Sequence, residues 1–303
     1  MLTYPCVCGI SFCLGWSGNL VDGLISVKCK QTIEGHGGPV WALAKTDAYI
    51  ISGSSDTTVQ AWDVQSMRPV RTMSGHTSIV HSVEVWNNTI ISGSDDRCLK
   101  FWDMDQDFKC VKTIRANNVA CVLRAASNHL FAGLYKTVKV WNLETGEFAG
   151  DLDNHNHWVR ALNVTKGHLF SGCYNVINMI DLGTFKHMKS MTANMGSVYS
   201  IVVDNNMLYA GTYANSISVY DLRTFECVRT LTGHTGAVYS LALSKGLGKL
   251  YSGSYDNTIR VWDLNSLSPI QRFVGHTSSV EALLTTDTGL YSASTDGTIK
   301  LWR

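Results

Sequence analysis

Proline is scarce in this chain, four in 303 residues against 26 glycines. Rigid Pro-rich linkers are therefore excluded, and many tight turns are expected. Charge is also thin. Asp, Glu, Lys and Arg make up 16% of the residues, and 25 Lys plus Arg against 24 Asp plus Glu leave a formal charge of +1. Such a balance supplies no field for salt-sensitive binding to nucleic acid or to an anionic membrane. No run of about 18 apolar residues exists, so no helix is expected to span a bilayer. Sustained helical periodicity is missing as well. What remains is 45% hydrophobic, enough to bury a sizeable core and to exclude wholesale disorder.

The nine cysteines are Cys6, Cys8, Cys13, Cys29, Cys98, Cys110, Cys121, Cys173 and Cys227. An odd count in a chain this long is not a disulfide framework, and reduced thiols in a cytosolic or nuclear compartment are expected, with the cytoplasm as the first choice. Cys6-x-Cys8-x4-Cys13 has no matching second pair, so no metal is assigned. Gly246-Leu247-Gly248-Lys249 lacks the earlier glycine and the following Ser or Thr of a phosphate loop, and no cofactor is assigned. Residues 1–21 carry no charged side chain but lack the basic start of a secretory signal.

The dominant feature is a repeat. Trp62-Asp63, Trp102-Asp103, Trp141-Asn142, Ile180-Asp181, Tyr220-Asp221, Trp262-Asp263 and Trp302-Arg303 are spaced by 40, 39, 39, 40, 42 and 40 residues. A second marker keeps the same period, through Gly35-His36, Gly75-His76, Ala116-Asn117, Asn154-His155, Ala193-Asn194, Gly233-His234 and Gly275-His276. Each unit reads as four short strands, in unit 1 Val40–Ala44, Tyr49–Ser52, Val59–Asp63 and Val70–Met73, separated by Gly, Asp, Ser and Asn. Four strands per unit, repeated seven times, predict an all-β, seven-bladed β-propeller of four-stranded antiparallel blades.

The pattern in Gly233–Asp263 resembles the WD repeat, and the resemblance covers about residues 28–303. In that family the strand before the Gly-His pair is the outer strand of the preceding blade. The similarity of Lys28–Glu34 to Glu226–Thr232 then implies that the N-terminal piece completes the last blade and closes the ring, leaving no raw sheet edges. The propeller domain is expected over 28–303, with no structure assigned to 1–27. Asn156–Leu162, Gly196–Ile201, Gly211–Tyr213 and Val228–His234 resemble the WD-repeat propeller of the tumour necrosis factor receptor-associated factor family of RING ubiquitin ligases. The propellers of myosin heavy chain kinases are the second resemblance. No RING or kinase part is read in this chain, so neither catalytic activity is carried over.

Units 1, 2, 6 and 7 each carry a His, Ser, Asp and Trp at matched positions. These are His36, Ser52, Asp56 and Trp62; His76, Ser92, Asp96 and Trp102; His234, Ser252, Asp256 and Trp262; and His276, Ser292, Asp296 and Trp302. Ser, His and Asp together imitate a hydrolase triad. A catalytic set occurs once in a domain, however, whereas this one recurs at fixed period, and an indole N–H can only donate. The four sets are therefore read as structural, as in WD repeats, and the chain as non-enzymatic. Units 3, 4 and 5 lack the Asp, and the turns of units 3 and 4 are one residue shorter. Drift, and an arc reshaped for a partner, both account for this.

In WD repeats the residue five after the Gly-His histidine points near the central channel on one face. The resemblance places Trp41, His81, Cys121, Arg160, Tyr199, Tyr239 and Glu281 there, with turn tyrosines 135, 174, 213 and 255 nearby. Trp, Tyr and Arg are the residues of interface hot spots. Partner contact is therefore expected at Trp41, Trp158, Arg160, Tyr199, Tyr213, Tyr239 and Tyr255. The expected ligand is a protein or peptide bound by a monomeric scaffold, the recruiting part of a ubiquitin-ligase-type signalling protein. A kinase-targeting propeller and an RNA-binding propeller stand as alternatives.

Overall fold

The computed structural model describes residues 20–21, 24–27 and 29–303. Val40–Lys45, Tyr49–Ser54, Val59–Asp63 and Pro69–Met73 form blade 1, an antiparallel sheet in chain order. Blade 2 runs from Val80–Trp86 to Lys109–Arg115, blade 3 from Val122–Ala126 to Phe148–Leu152, and blade 6 from Val238–Ser244 to Pro269–Val274. The aspartate ending the third strand often orders the next turn. Asp63 Oδ1 accepts the Ser66 N–H at 2.7 Å, and Asp181 and Asp263 do the same with Thr184 and Ser266.

Blade 7 is Val280–Thr286, Gly289–Ser294 and Ile299–Trp302, completed by Gln31–Ile33 from the other end of the chain. Ile33 pairs with Ile299 and Gln31 with Leu301, so the two chain ends close the wheel as the repeat implied. Blades 4 and 5 share one continuous strand, His187–Asp204. Its first part pairs with Tyr174–Asp181 of blade 4 and its second with Met207–Thr212 of blade 5. The inner strands then touch in sequence all the way round, the last against the first. Among the described residues this makes seven blades in a closed ring.

The core lies between blades. Each of seven apolar clusters joins two neighbours. Ile51, Val59 and Met73 of blade 1 meet Val80, Ile90 and Trp102 of blade 2, and Ile299 and Leu301 of blade 7 meet Ile50 and Trp62 of blade 1. Fully burying one such Ile or Val contributes about 1.5–3 kcal/mol, so no blade is stable without its neighbours. The fit is close. A Cβ at Gly172 would lie 2.6 Å from Val198 Cγ1 of the next blade, which is why that position has no side chain.

One element has no counterpart in the repeat. Leu24–Val27 adds to the outer edge of blade 6, parallel to Pro269–Val274, with Val27 opposite Phe273 and buried in the blade 6–7 core. Leu20–Val21 folds back onto it. Cys6, Cys8 and Cys13 lie outside the described residues; the described cysteines are all free. Among the described residues no helix is long and apolar enough to cross a membrane, and no group of His, Cys, Asp and Glu has a metal-binding arrangement.

Candidate functional site: the mouth of the wheel

The four polar sets are hydrogen-bonded chains. In blade 1 the Trp62 indole donates to Ser52 Oγ at 2.8 Å, Ser52 Oγ lies 2.7 Å from His36 Nε2, and His36 Nδ1 lies 2.7 Å from Asp56 Oδ2. The indole can only donate, so Ser52 accepts from it and has one proton left for Nε2. That fixes the neutral histidine with its proton on Nδ1, donated to Asp56. Blades 2, 6 and 7 repeat the set at 2.7–2.9 Å. Burial pushes the imidazoles of His36 and His76 below their usual pKa, outweighing the neighbouring carboxylates. Burial pushes the aspartates the other way, but the bonds they accept win and hold all four below the usual range. Asp56, for example, takes the N–H of Gly37 and both donors of Thr58. All four serine side chains sit at 0% exposure, so no substrate reaches the would-be nucleophiles.

Where Ser is lost, the set goes with it. Blade 3 has Ala132 and Asn117 at the Ser and His positions, and blade 5 has Ala210 and Tyr220 at the Ser and Trp positions. Tyr220 is packed with Ala210 and Met195 in the blade 4–5 core. Blade 5 thus replaces the indole donor and its acceptor together, whereas blade 3 keeps its Trp141. Blade 4 keeps the His155–Ser171 pair at 2.7 Å.

The face that carries these loops opens into a cavity of about 530 Å³ at the hub. A backbone irregularity aims its lining. The first strands of blades 1, 2, 5, 6 and 7 each skip one residue in their pairing, at Trp41, His81, Tyr199, Tyr239 and Glu281. A bulge of this kind turns the skipped side chain out of the sheet. In blades 3 and 4 the corresponding residues, Cys121 and Arg160, precede the first strand and bond through their N–H to Gly133 and Gly172. All seven line the cavity, one per blade, together with Tyr255 and Arg124.

Within the ring Trp41 meets His81 edge to face at 5.7 Å, and Tyr199 meets Tyr239 at 4.8 Å. Arg160 lies 5.8 Å over the Tyr199 ring, and Tyr239 leans on Tyr255 at 6.3 Å. His81 Nε2 is 2.8 Å from Asp95, and Arg124 is held by Glu84 at 2.9 Å. Burial pushes the Cys121 thiol up to about 11, and the Tyr239 phenol, which also faces Glu281, up to about 12. Burial likewise raises the Glu281 carboxyl to about 7 against the bond donated by Ser279. Among the described residues, two buried polar atoms of the lining, Trp41 Nε1 and Ser240 Oγ, have no hydrogen-bond partner.

Five of the seven expected contact residues therefore converge: Trp41, Arg160, Tyr199, Tyr239 and Tyr255. Two stand apart. Trp158 forms a backbone bridge with Tyr135 and packs on its ring at 5.1 Å, in a separate rim cluster that His157 links to Tyr174. Tyr213, 64% exposed, leans against Gly196 outside the cavity. The repeat register put Glu281, His81 and Cys121 in the same ring, but hot-spot composition passed over them. The half-buried setting of the Glu281 carboxyl, invisible in one sequence, is what sets it apart.

A closed wheel of antiparallel blades with these polar chains defines a WD40-repeat β-propeller. The WD40 family (WD domain, G-beta repeat) matches residues 27–63, 67–103, 225–263 and 267–303, which are the four regular units. The chain is similar to E3 ubiquitin-protein ligase TRAF7 of Mus musculus, with 50% identity over 195 residues, 63% of this chain and 33% of that protein. It is equally similar to TRAF7 of Homo sapiens, over 63% of this chain and 29% of that protein. The match spans about a third of these relatives. The crystal structure of the computationally designed Ika8 protein aligns with a TM-score of 0.71 at 24% identity, over 91% of this chain and 98% of that one, and shares the fold.

Proposed function

We propose that the propeller is a non-catalytic docking module, whose mouth holds a segment of a partner protein, within a larger ubiquitin-ligase-type protein. The observation that carries the reading is the ring itself, in which every blade sends one side chain to a single cavity and Trp41, Tyr199, Tyr239 and Arg160 are among them. Rings of this kind offer large contact area at low cost in side-chain entropy. Arg160, with no carboxylate within salt-bridge distance among the described residues, pairs with an acidic side chain or a carbonyl of the partner. The E3 ligase relatives support placing the module beside a ubiquitin-transfer part. The near-neutral charge disfavours RNA.

The test is affinity capture from cytoplasmic extract, comparing the wild-type chain with Arg160→Ala/Tyr239→Ala. The double variant is expected to lose its captured proteins at an unchanged melting temperature. Identical capture by both removes the mouth as the docking site.

A further inference from the structure

Four ionisable side chains of the mouth lining are Arg160, Glu281, His81 and Arg124. Two are already engaged, His81 by its hydrogen bond with Asp95 and Arg124 by the Glu84 carboxylate. Arg160 rests on Tyr199, and Glu281 has no cation within salt-bridge distance among the described residues; its hydrogen-bond partner there is the Ser279 hydroxyl. Arg160 belongs to blade 4 and Glu281 to blade 7, as far apart around the hub as seven blades allow. Among the described residues the cavity thus carries a cation, Arg160, and a carboxyl, Glu281, on opposite blades, neither with an opposite charge within salt-bridge distance.

The Glu281 end is walled by aromatic rings. Tyr239 precedes Glu281 round the ring and Trp41 follows it, and Tyr255 closes on Tyr239 from the turn. A half-buried carboxyl beside such rings is costlier to ionise than one in water, and a cation against π faces and a carboxylate offsets that cost. A neutral polar group would leave the carboxylate unmatched, and an anion would be repelled.

We propose that the Glu281 end of the mouth is a receptor for a cationic side chain, lysine or arginine, of the docked partner, with Glu281 as counter-charge and Trp41, Tyr239 and Tyr255 as walls. The inference rests on the mouth being the docking face and adds the chemistry of what docks there. The partner segment carries a basic residue for Glu281 and an acidic or carbonyl group for Arg160, so it lies across the hub in one direction only. Binding draws the Glu281 proton off, since the carboxyl, raised by burial toward about 7, must ionise to hold the cation. The other titratable groups facing the cavity are His81, Cys121, Tyr199, Tyr239 and Tyr255, and the Glu281→Gln variant separates their contribution.

The probes are butylguanidinium and butylammonium chloride, with 1-pentanol as neutral counterpart. Binding is read from the Trp41 indole N–H resonance, assigned with Trp41→Phe. Both cations are expected to saturate the shift while pentanol does not. Glu281→Gln, which keeps the shape, should weaken the cations at least tenfold. Affinity should rise about tenfold from pH 6 to pH 8 in the wild type, following ionisation of Glu281, and stay flat in Glu281→Gln. No saturation by either cation, an equal response to pentanol, or undiminished binding by Glu281→Gln would each overturn the receptor. The docking reading is judged separately. If capture is lost in Arg160→Ala/Tyr239→Ala yet the wild type ignores the cations, only the receptor fails.

Discussion

Asn175 Oδ1 accepts the backbone N–H of Gly196 at 2.7 Å, and that of Met195 at 3.1 Å, tying the turn of blade 4 to the loop leading into blade 5. In the regular blades an aspartate ties its own turn to its own Gly-His loop. Here the tie is thrown across to the neighbour. The irregular arc is rewired between blades.

Asn175→Ala should therefore destabilise by about 2 kcal/mol. Two N–H groups lose their acceptor, and residue 175 has φ of 60°, a conformation that asparagine tolerates better than alanine. Urea unfolding with an unchanged slope measures it; a shift under about 0.5 kcal/mol would show the tie to be idle.

Ser252→Ala should cost about 2–4 kcal/mol, because both Trp262 and His234 lose their buried partner. The same loss is expected for Ser52, Ser92 and Ser292, since the bonds match. Thermal unfolding of the four variants checks this; one serine behaving unlike the rest would break the structural reading of the set.

Acid should loosen the wheel in two stages. Burial depresses His155 to about 4, with no carboxylate among the described residues hydrogen-bonded to its ring, and depresses His36 and His76 in the same direction. A histidine depressed in the folded state gives its stability in full above about pH 6.5, and loses it as pH falls toward the folded value. For His155 alone that is up to about 3 kcal/mol. The depressed aspartates act lower, present above about pH 4 and lost beneath it. Urea midpoints at pH 7.5 and 4.5 should differ, and His155→Asn should shrink the difference.

Ile33→Asp should cost at least about 3 kcal/mol. Ile33 is the buried end of the strand that closes blade 7, and a carboxylate there has no partner to match it. Tyr255→Ala, at a side chain 64% exposed, should stay within about 0.5 kcal/mol. Parallel melting curves of the two variants test the contrast between closure and mouth.

The wheel was legible because it repeats. Trp62, Trp102, Trp262 and Trp302 mark the same place in four blades, and a period of about 40 residues needs no coordinates. Features that occur once left no such trace. Leu24–Val27 has no second copy to be compared with, and the cross-blade bond of Asn175 follows from a shortened turn whose new path no periodicity encodes. The mouth stood between these cases. The register predicted which residues share it, but the bridge that holds Trp158 to Tyr135, and the burial of Glu281, depend on how neighbouring blades lean.

The uninterrupted strand His187–Asp204 makes two blades into one leaf. Elsewhere adjacent sheets are joined by a connector outside the sheet and coupled mainly through side chains; here one strand runs across the seam. A chain pulled by its termini should lose Leu24–Val27 from the edge of blade 6 first and then the clasp of Gln31–Ile33 on Ile299–Trp302, while that leaf holds as a single mechanical piece for longer.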